Sequence, residues 1–269
     1  VGFASETLRF GSEGTGPGYF SDARHVAVDG QGNIYVGEYL DTGRVQVFDS
    51  EGTFITQWFV DKEMPFRAMD VSRDGVVYVV QSGTISLHDG QTGEVLGQIQ
   101  YSGGDEFDDV YVTPDGGLVT AWMLFEDTIV RFDASGNQSL VIPTAISGQS
   151  GDSELDMRVA ADGLGSLYAL GTFNNAIFKF TPEGQFVTRF GSDGDEPGQF
   201  RAPGELAVDN QGRIYVTDFK GIQVFAEDGR YLDVIDVDGG FAYGLEITPN
   251  NEILAAVGGT QIVKYQINE

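Results

Sequence analysis

Three features of this sequence predict an all-β fold, a six-bladed β-propeller of four-stranded antiparallel blades. They are dense glycine punctuation, a long phrase that repeats without a gap, and six evenly spaced copies of one strand motif. Glycine accounts for 38 of the 269 residues. It recurs beside Asp or Asn between short apolar runs, as hairpin turns require. The run Arg9-Phe10-Gly11-Ser12, Pro17-Gly18, Phe20, Val26-Ala27-Val28-Asp29, Ile34-Tyr35-Val36 returns 180 residues later. The second copy reads Arg189-Phe190-Gly191-Ser192, Pro197-Gly198, Phe200, Leu206-Ala207-Val208-Asp209, Ile214-Tyr215-Val216. Weaker copies at Met69-Asp70-Val71-Ser72, Val110-Tyr111-Val112-Thr113, Val159-Ala160-Ala161-Asp162 and Leu245-Glu246-Ile247-Thr248 complete six anchors, spaced 43, 41, 49, 47 and 39 residues apart. That spacing is the length of one four-stranded blade.

Each repeat then reads strand by strand. In the first, strand a covers 24–29, a Gly-rich turn follows at Gly30-Gln31-Gly32, strand b covers 33–38, strand c 44–49 and strand d 53–59. The first hairpin keeps one length throughout, because Tyr35, Tyr78, Val119, Tyr168, Tyr215 and Leu254 all stand at one offset from their anchors. The c strands are Val45-Gln46-Val47-Phe48, Ile85-Ser86-Leu87-His88, Ile129-Val130-Arg131-Phe132, Ile177-Phe178-Lys179-Phe180, Ile222-Gln223-Val224-Phe225 and Ile262-Val263-Lys264-Tyr265. Most of them alternate apolar and polar residues. The last repeat ends before a d strand, whereas 6–11 look like a d strand without a blade. The N-terminal strand is therefore expected to complete the last blade and remove an exposed edge. The blades fall at about 23–59, 66–99, 107–142, 156–191, 203–235 and 242–269 plus 6–11, one domain over 1–269.

The fifth repeat, with Leu206-Ala207-Val208-Asp209, Gln211-Gly212-Arg213-Ile214-Tyr215-Val216 and Ile222-Gln223-Val224-Phe225, resembles an NHL repeat. So does Arg44-Val45-Gln46-Val47-Phe48 in the first, although Thr84, Thr128, Ala176, Gly221 and Gln261 replace its leading Arg elsewhere. The resemblance spans essentially the whole chain. It implies a six-bladed propeller that most often serves as an interaction platform, with a minority of related propellers acting as enzymes.

Composition narrows the partners. Lys and Arg number 15 against 41 Asp and Glu, a net charge of −26. Such a field repels phosphate backbones and anionic lipid, so nucleic acid and membrane are poor partners. No Cys is present, which removes disulfides, thiolate nucleophiles and Cys-bound zinc. The resemblance points to an exported bacterial domain, extracellular or periplasmic, monomeric and carried within a larger protein.

In propellers, the d–a and b–c loops share the face most used for ligands. At the start of the a strands this sequence places Arg24, His25, Arg67, Asp109, Arg158, Glu205 and Tyr243. Opposite charges from several blades would converge there and suit a polar ligand. Trp122, at the end of the third b strand, departs from the repeat and is a candidate binding hot spot. Glu38 and Asp218 read as repeat acids that hold loop backbone, and Tyr39, Phe125, Phe173 and Phe219 as aromatics packed between blades or facing a peptide or sugar. The expectation is a non-catalytic domain that binds a protein, peptide or glycan and needs no cofactor. The alternative is a lactonase-like hydrolase or lyase with calcium held in the channel by Asp109, Glu205, Asp70 and Glu246. Two His residues, His25 and His88, are too few for a three-His zinc site.

Overall fold

The computed structural model describes residues 2–39 and 43–268. It is a six-bladed β-propeller of four-stranded antiparallel blades with almost no helix. β1 (Ala4–Phe10) belongs to the last blade. Blade 1 holds β2 (Ala23–Val28), β3 (Ile34–Glu38), β4 (Arg44–Phe48) and β5 (Phe54–Phe59), and blade 2 holds β6 (Ala68–Val71), β7 (Val76–Gln81), β8 (Thr84–Asp89) and β9 (Val95–Gln98). Blade 3 contains β10 (Phe107–Val112), β11 (Leu118–Trp122), β12 (Thr128–Phe132) and β13 (Gln138–Ile142). After one helical turn, α1 (Ser147–Ser150), blade 4 follows with β14 (Met157–Ala161), β15 (Leu167–Gly171), β16 (Ala176–Phe180) and β17 (Phe186–Phe190). Blade 5 is β18 (Leu206–Val208), β19 (Ile214–Asp218), β20 (Gly221–Phe225) and β21 (Tyr231–Ile235). Blade 6 is β22 (Ala242–Ile247), β23 (Ile253–Val257), β24 (Gln261–Ile267) and, as expected, β1 on its outer edge. The chain divides into two compact units, Val1–Ile99 with Ile235–Glu269 and Gln100–Val234. The first carries blades 1, 2 and 6, the second blades 3, 4 and 5.

The constant hairpin length has a physical cause. Asp29 Oδ1 accepts the N–H groups of Gln31 and Asn33 at 2.9 Å each, and the Tyr35 hydroxyl donates to Oδ2 at 3.2 Å. Asp162 with Tyr168 and Asp209 with Tyr215 repeat the arrangement, with hydroxyl distances of 3.0 and 2.9 Å. The acid closes the turn while a buried phenol finds its partner. The Gln of the c strand is equally structural. Gln46 accepts from Gly18 N–H and donates to Tyr19 O, each at 2.8 Å, and Gln223 treats Gly198 and Gln199 in the same way.

Phe20, Phe66, Phe107 and Phe200 are fully buried, as their positions before the a strands predict. Gly191 at φ +88° brings its backbone against the Phe200 ring, where an added Cβ would lie 2.4 Å from Cε2. Alternation is weaker than the sequence suggests, because β3, β4, β15, β16, β19, β20 and β23 are buried on both faces. Stacked blades cover both sides of the middle strands, so these read as continuous apolar runs.

Candidate functional site

In the unit of blades 3 to 5, three charged side chains occupy the same position on successive blades. Asp109 lies on β10, Arg158 on β14 and Glu205 immediately before β18, and β10 packs against β14 as β14 packs against β18. Asp108 is the extra residue of a bulge in β10, since Phe107 pairs with Trp122 and Asp109 already with Ala121. A bulge bends a strand end and re-aims its side chains.

Asp109 is buried, and its Oδ2 accepts the Val159 N–H of the next blade at 2.8 Å. Burial pushes its carboxyl up to about 6, against the opposing pull of Arg158 and backbone N–H groups. Glu205 is half-buried, and its Oε1 accepts the Leu206 N–H at 3.1 Å. Burial and then the charge of Asp109 push it further, to about 8. Arg158, with its side chain 14% exposed, pairs with Asp156 at 3.3 Å. Burial disfavours its charge, yet Asp156, Glu205, Asp109 and Asp108 outweigh that and hold it above the ordinary arginine range. Its Nε is buried without a hydrogen-bond partner among the described residues. The group therefore combines two carboxyls held above their ordinary range, Glu205 further than Asp109, with a fixed cation.

Other predicted residues form a second group in the unit of blades 1, 2 and 6. The Arg24 guanidinium lies 4.5 Å from the Tyr39 ring centroid and 4.8 Å from that of Tyr243, and pairs with Asp22 at 2.8 Å. Arg24 and Tyr243 are themselves bulge residues. His25 donates through Nε2 to the Phe66 carbonyl at 2.6 Å, and Arg67 donates its backbone N–H to Val80 O. Trp122 in blade 3 is half-buried, its indole N–H donating to Gly104 O at 3.0 Å and its ring edge-on to Tyr101. Glu38 accepts from Ser21 and Arg44, and Asp218 from Arg201 and Lys220, so both hold loop backbone as the repeat implies. His88 is a packing residue stacked on Trp58.

Sequence reading missed Asp156. Its signal was present, since Asp22-Ala23-Arg24 recurs as Asp156-Met157-Arg158 and the Asp pairs with the Arg in both. Phe125, Phe173 and Phe219 do not pack between blades, being 97%, 62% and 74% exposed.

The calcium alternative does not fit these residues. Among the described residues no group of three His, Asp or Glu side chains is disposed to hold a metal ion. Between Asp109 and Glu205 in blade order stands Arg158, already a fixed cation. Asp70 and Glu246 each accept the N–H of their own following residue.

The fold and this strand-end cluster define a β-propeller with acid–base groups at the starts of its first strands. No protein-family model matches the sequence, nor does any curated protein. Among solved structures, the chain is similar to a gluconolactonase from Xanthomonas campestris at 15% identity and TM-score 0.70, covering 98% of this chain and 99% of that one. A luciferin-regenerating enzyme is similar at 11% identity and TM-score 0.70, over 96% and 95% of the two chains. A streptogramin B lyase is similar at 12% identity and TM-score 0.64, over 97% and 98%. The expectation of a non-catalytic binding domain is corrected by these findings, because proteins that share the fold from end to end are named as enzymes. Identities this low establish the fold alone, and the choice of chemistry rests on the cluster.

Proposed function

We propose that this protein is an enzyme that opens cyclic esters by acid–base catalysis at Asp109, Arg158 and Glu205, on a scaffold of NHL-type repeats. The observation that carries the reading is one guanidinium set between two carboxyls whose proton affinities are driven apart on either side of neutral pH. Divergent carboxyls in one environment are the arrangement that lets the same residue type act as both base and acid. Asp109, ionised above about pH 6, takes the proton from the attacking water. Arg158, the fixed cation between the two carboxyls in blade order, stabilises the negative charge that develops on the carbonyl oxygen. Glu205, protonated below about pH 8, gives its proton to the departing ring oxygen. The name of the gluconolactonase supports an ester ring as the substrate.

The test is acid release from a panel of lactones in a pH-stat, with the Asp109→Asn, Arg158→Met and Glu205→Gln variants alongside. The expected result is turnover in the wild type that persists in EDTA, with kcat/KM falling on both sides of pH 7. Turnover that all three variants retain undiminished would remove the cluster from the chemistry.

A further inference from the structure

We infer that this site, if it opens cyclic esters as proposed, selects uncharged or cationic esters carrying a large apolar substituent, and that Phe125, Phe173 and Phe219 bind that substituent. The three residues occupy the b–c loops of three successive blades, all in one compact unit. Strand pairing places them at the same strand ends as the cluster. Trp122 pairs with Phe107, Gly171 with Met157, and the Thr217 N–H bonds Glu205 O. Each Phe follows one of those b-strand ends within three residues.

Exposed phenyl rings are individually ordinary, but three at equivalent loops beside a reactive cluster are not explained by packing. Phe125 has φ +64°, a conformation that favours glycine and is costly for a bulky side chain. A fully exposed ring on a strained backbone contributes nothing to the core, and strain of this kind gathers at ligand sites. The other two loops are pinned. The Phe173 N–H donates to Glu154 Oε1 at 3.1 Å, and Glu154 also accepts from Asn174. Asp218, next to Phe219, accepts the N–H groups of Arg201 and Lys220. Rings held outward by fixed backbone bind with little ordering cost. Leu155, also exposed and next to Asp156, extends the apolar surface. The net charge of −26 repels anionic substrates and favours departure of the acid product. A polyhydroxylated sugar lactone would leave its hydroxyls against phenyl faces, whereas an alkyl or aryl substituent would be desolvated by them.

The experiment measures kcat/KM along the γ-lactones from γ-butyrolactone to γ-dodecalactone. It also measures, by calorimetry, the affinity of the non-hydrolysable γ-lactams with the same chains. The protein is the wild type and the Phe125→Ser, Phe173→Ser, Phe219→Ser triple variant, with circular dichroism and the thermal midpoint confirming its fold. In the wild type, lactam affinity should rise about two- to fourfold per added methylene until the chain outgrows the loops. The triple variant should lose that rise. Lactams that bind with no chain-length dependence, or with the same dependence in the variant, would overturn the inference. Lactones opened without chain-length preference would leave the ring-opening reading standing and remove the apolar subsite. Phe-dependent lactam binding without turnover of any lactone would do the reverse.

Discussion

Replacing Glu205 by Gln should make the fold more stable at alkaline pH while leaving it unchanged in acid. Glu205 is raised from the ordinary glutamate value to about 8 by burial and by the charge of Asp109. A group whose proton is held more tightly in the folded chain supports folding at low pH, and that support is lost as pH climbs through the folded value. Each tenfold difference in proton affinity corresponds to about 1.4 kcal/mol. Full burial would thus make ionised Glu205 oppose folding by about 5 kcal/mol at pH 9. The residue is half-buried, and solvent screening reduces this to about 2–3 kcal/mol. Gln keeps the shape and carries no charge, so the variant and wild type should coincide near pH 5 and separate by that amount at pH 9. Asp109 titrates lower, and its contribution is common to both proteins. The assay is urea unfolding at half-unit intervals from pH 5 to 9, followed by circular dichroism. Parallel stability curves for the two proteins, within about 0.5 kcal/mol throughout, would refute the assignment of Glu205 as a proton-holding carboxyl.

Arg158→Met should lower kcat/KM by about 10²–10³ and move the acid limb of the pH profile upward, because the guanidinium holds Asp109 down; an unmoved limb would separate Arg158 from Asp109. Glu38→Gln breaks a buried pair in which Arg44 Nε lies 2.5 Å from Glu38 Oε2, and should cost about 3–5 kcal/mol in chemical denaturation. Tyr215→Phe removes the hydroxyl bonded to Asp209 and should cost about 1 kcal/mol by the same measurement. Deleting residues 2–10 strips β1 from β24 and exposes an unpaired edge, so light scattering should show concentration-dependent association absent from the intact chain.

The propeller was legible because its signals are local. Turn glycines, an acid and tyrosine at a constant offset, and a Gln in the c strand each satisfy a need that recurs within one blade. The completing role of the N-terminal strand followed from counting strands, and β1 pairs with β24 from Ala4 to Phe10. Site membership was half legible. Asp109, Arg158 and Glu205 could be placed at one level from their offsets, but they stood in the same list as Arg24, His25, Arg67 and Tyr243. Trp122, singled out because it departs from the repeat, is half-buried, with Gly104 and Tyr101 against its indole.

Sequence periodicity alone determined the class of fold and the strand that completes the last blade, because each depends on spacing along the chain. Tertiary structure decided which charges interact. The Val159 N–H that meets Asp109 comes from 50 residues away, and burial together with the charge of Asp109 is what pushes Glu205 above it. Desolvation and charge proximity are properties of a three-dimensional neighbourhood. A residue's identity and register cannot supply them until blades 3, 4 and 5 are packed side by side.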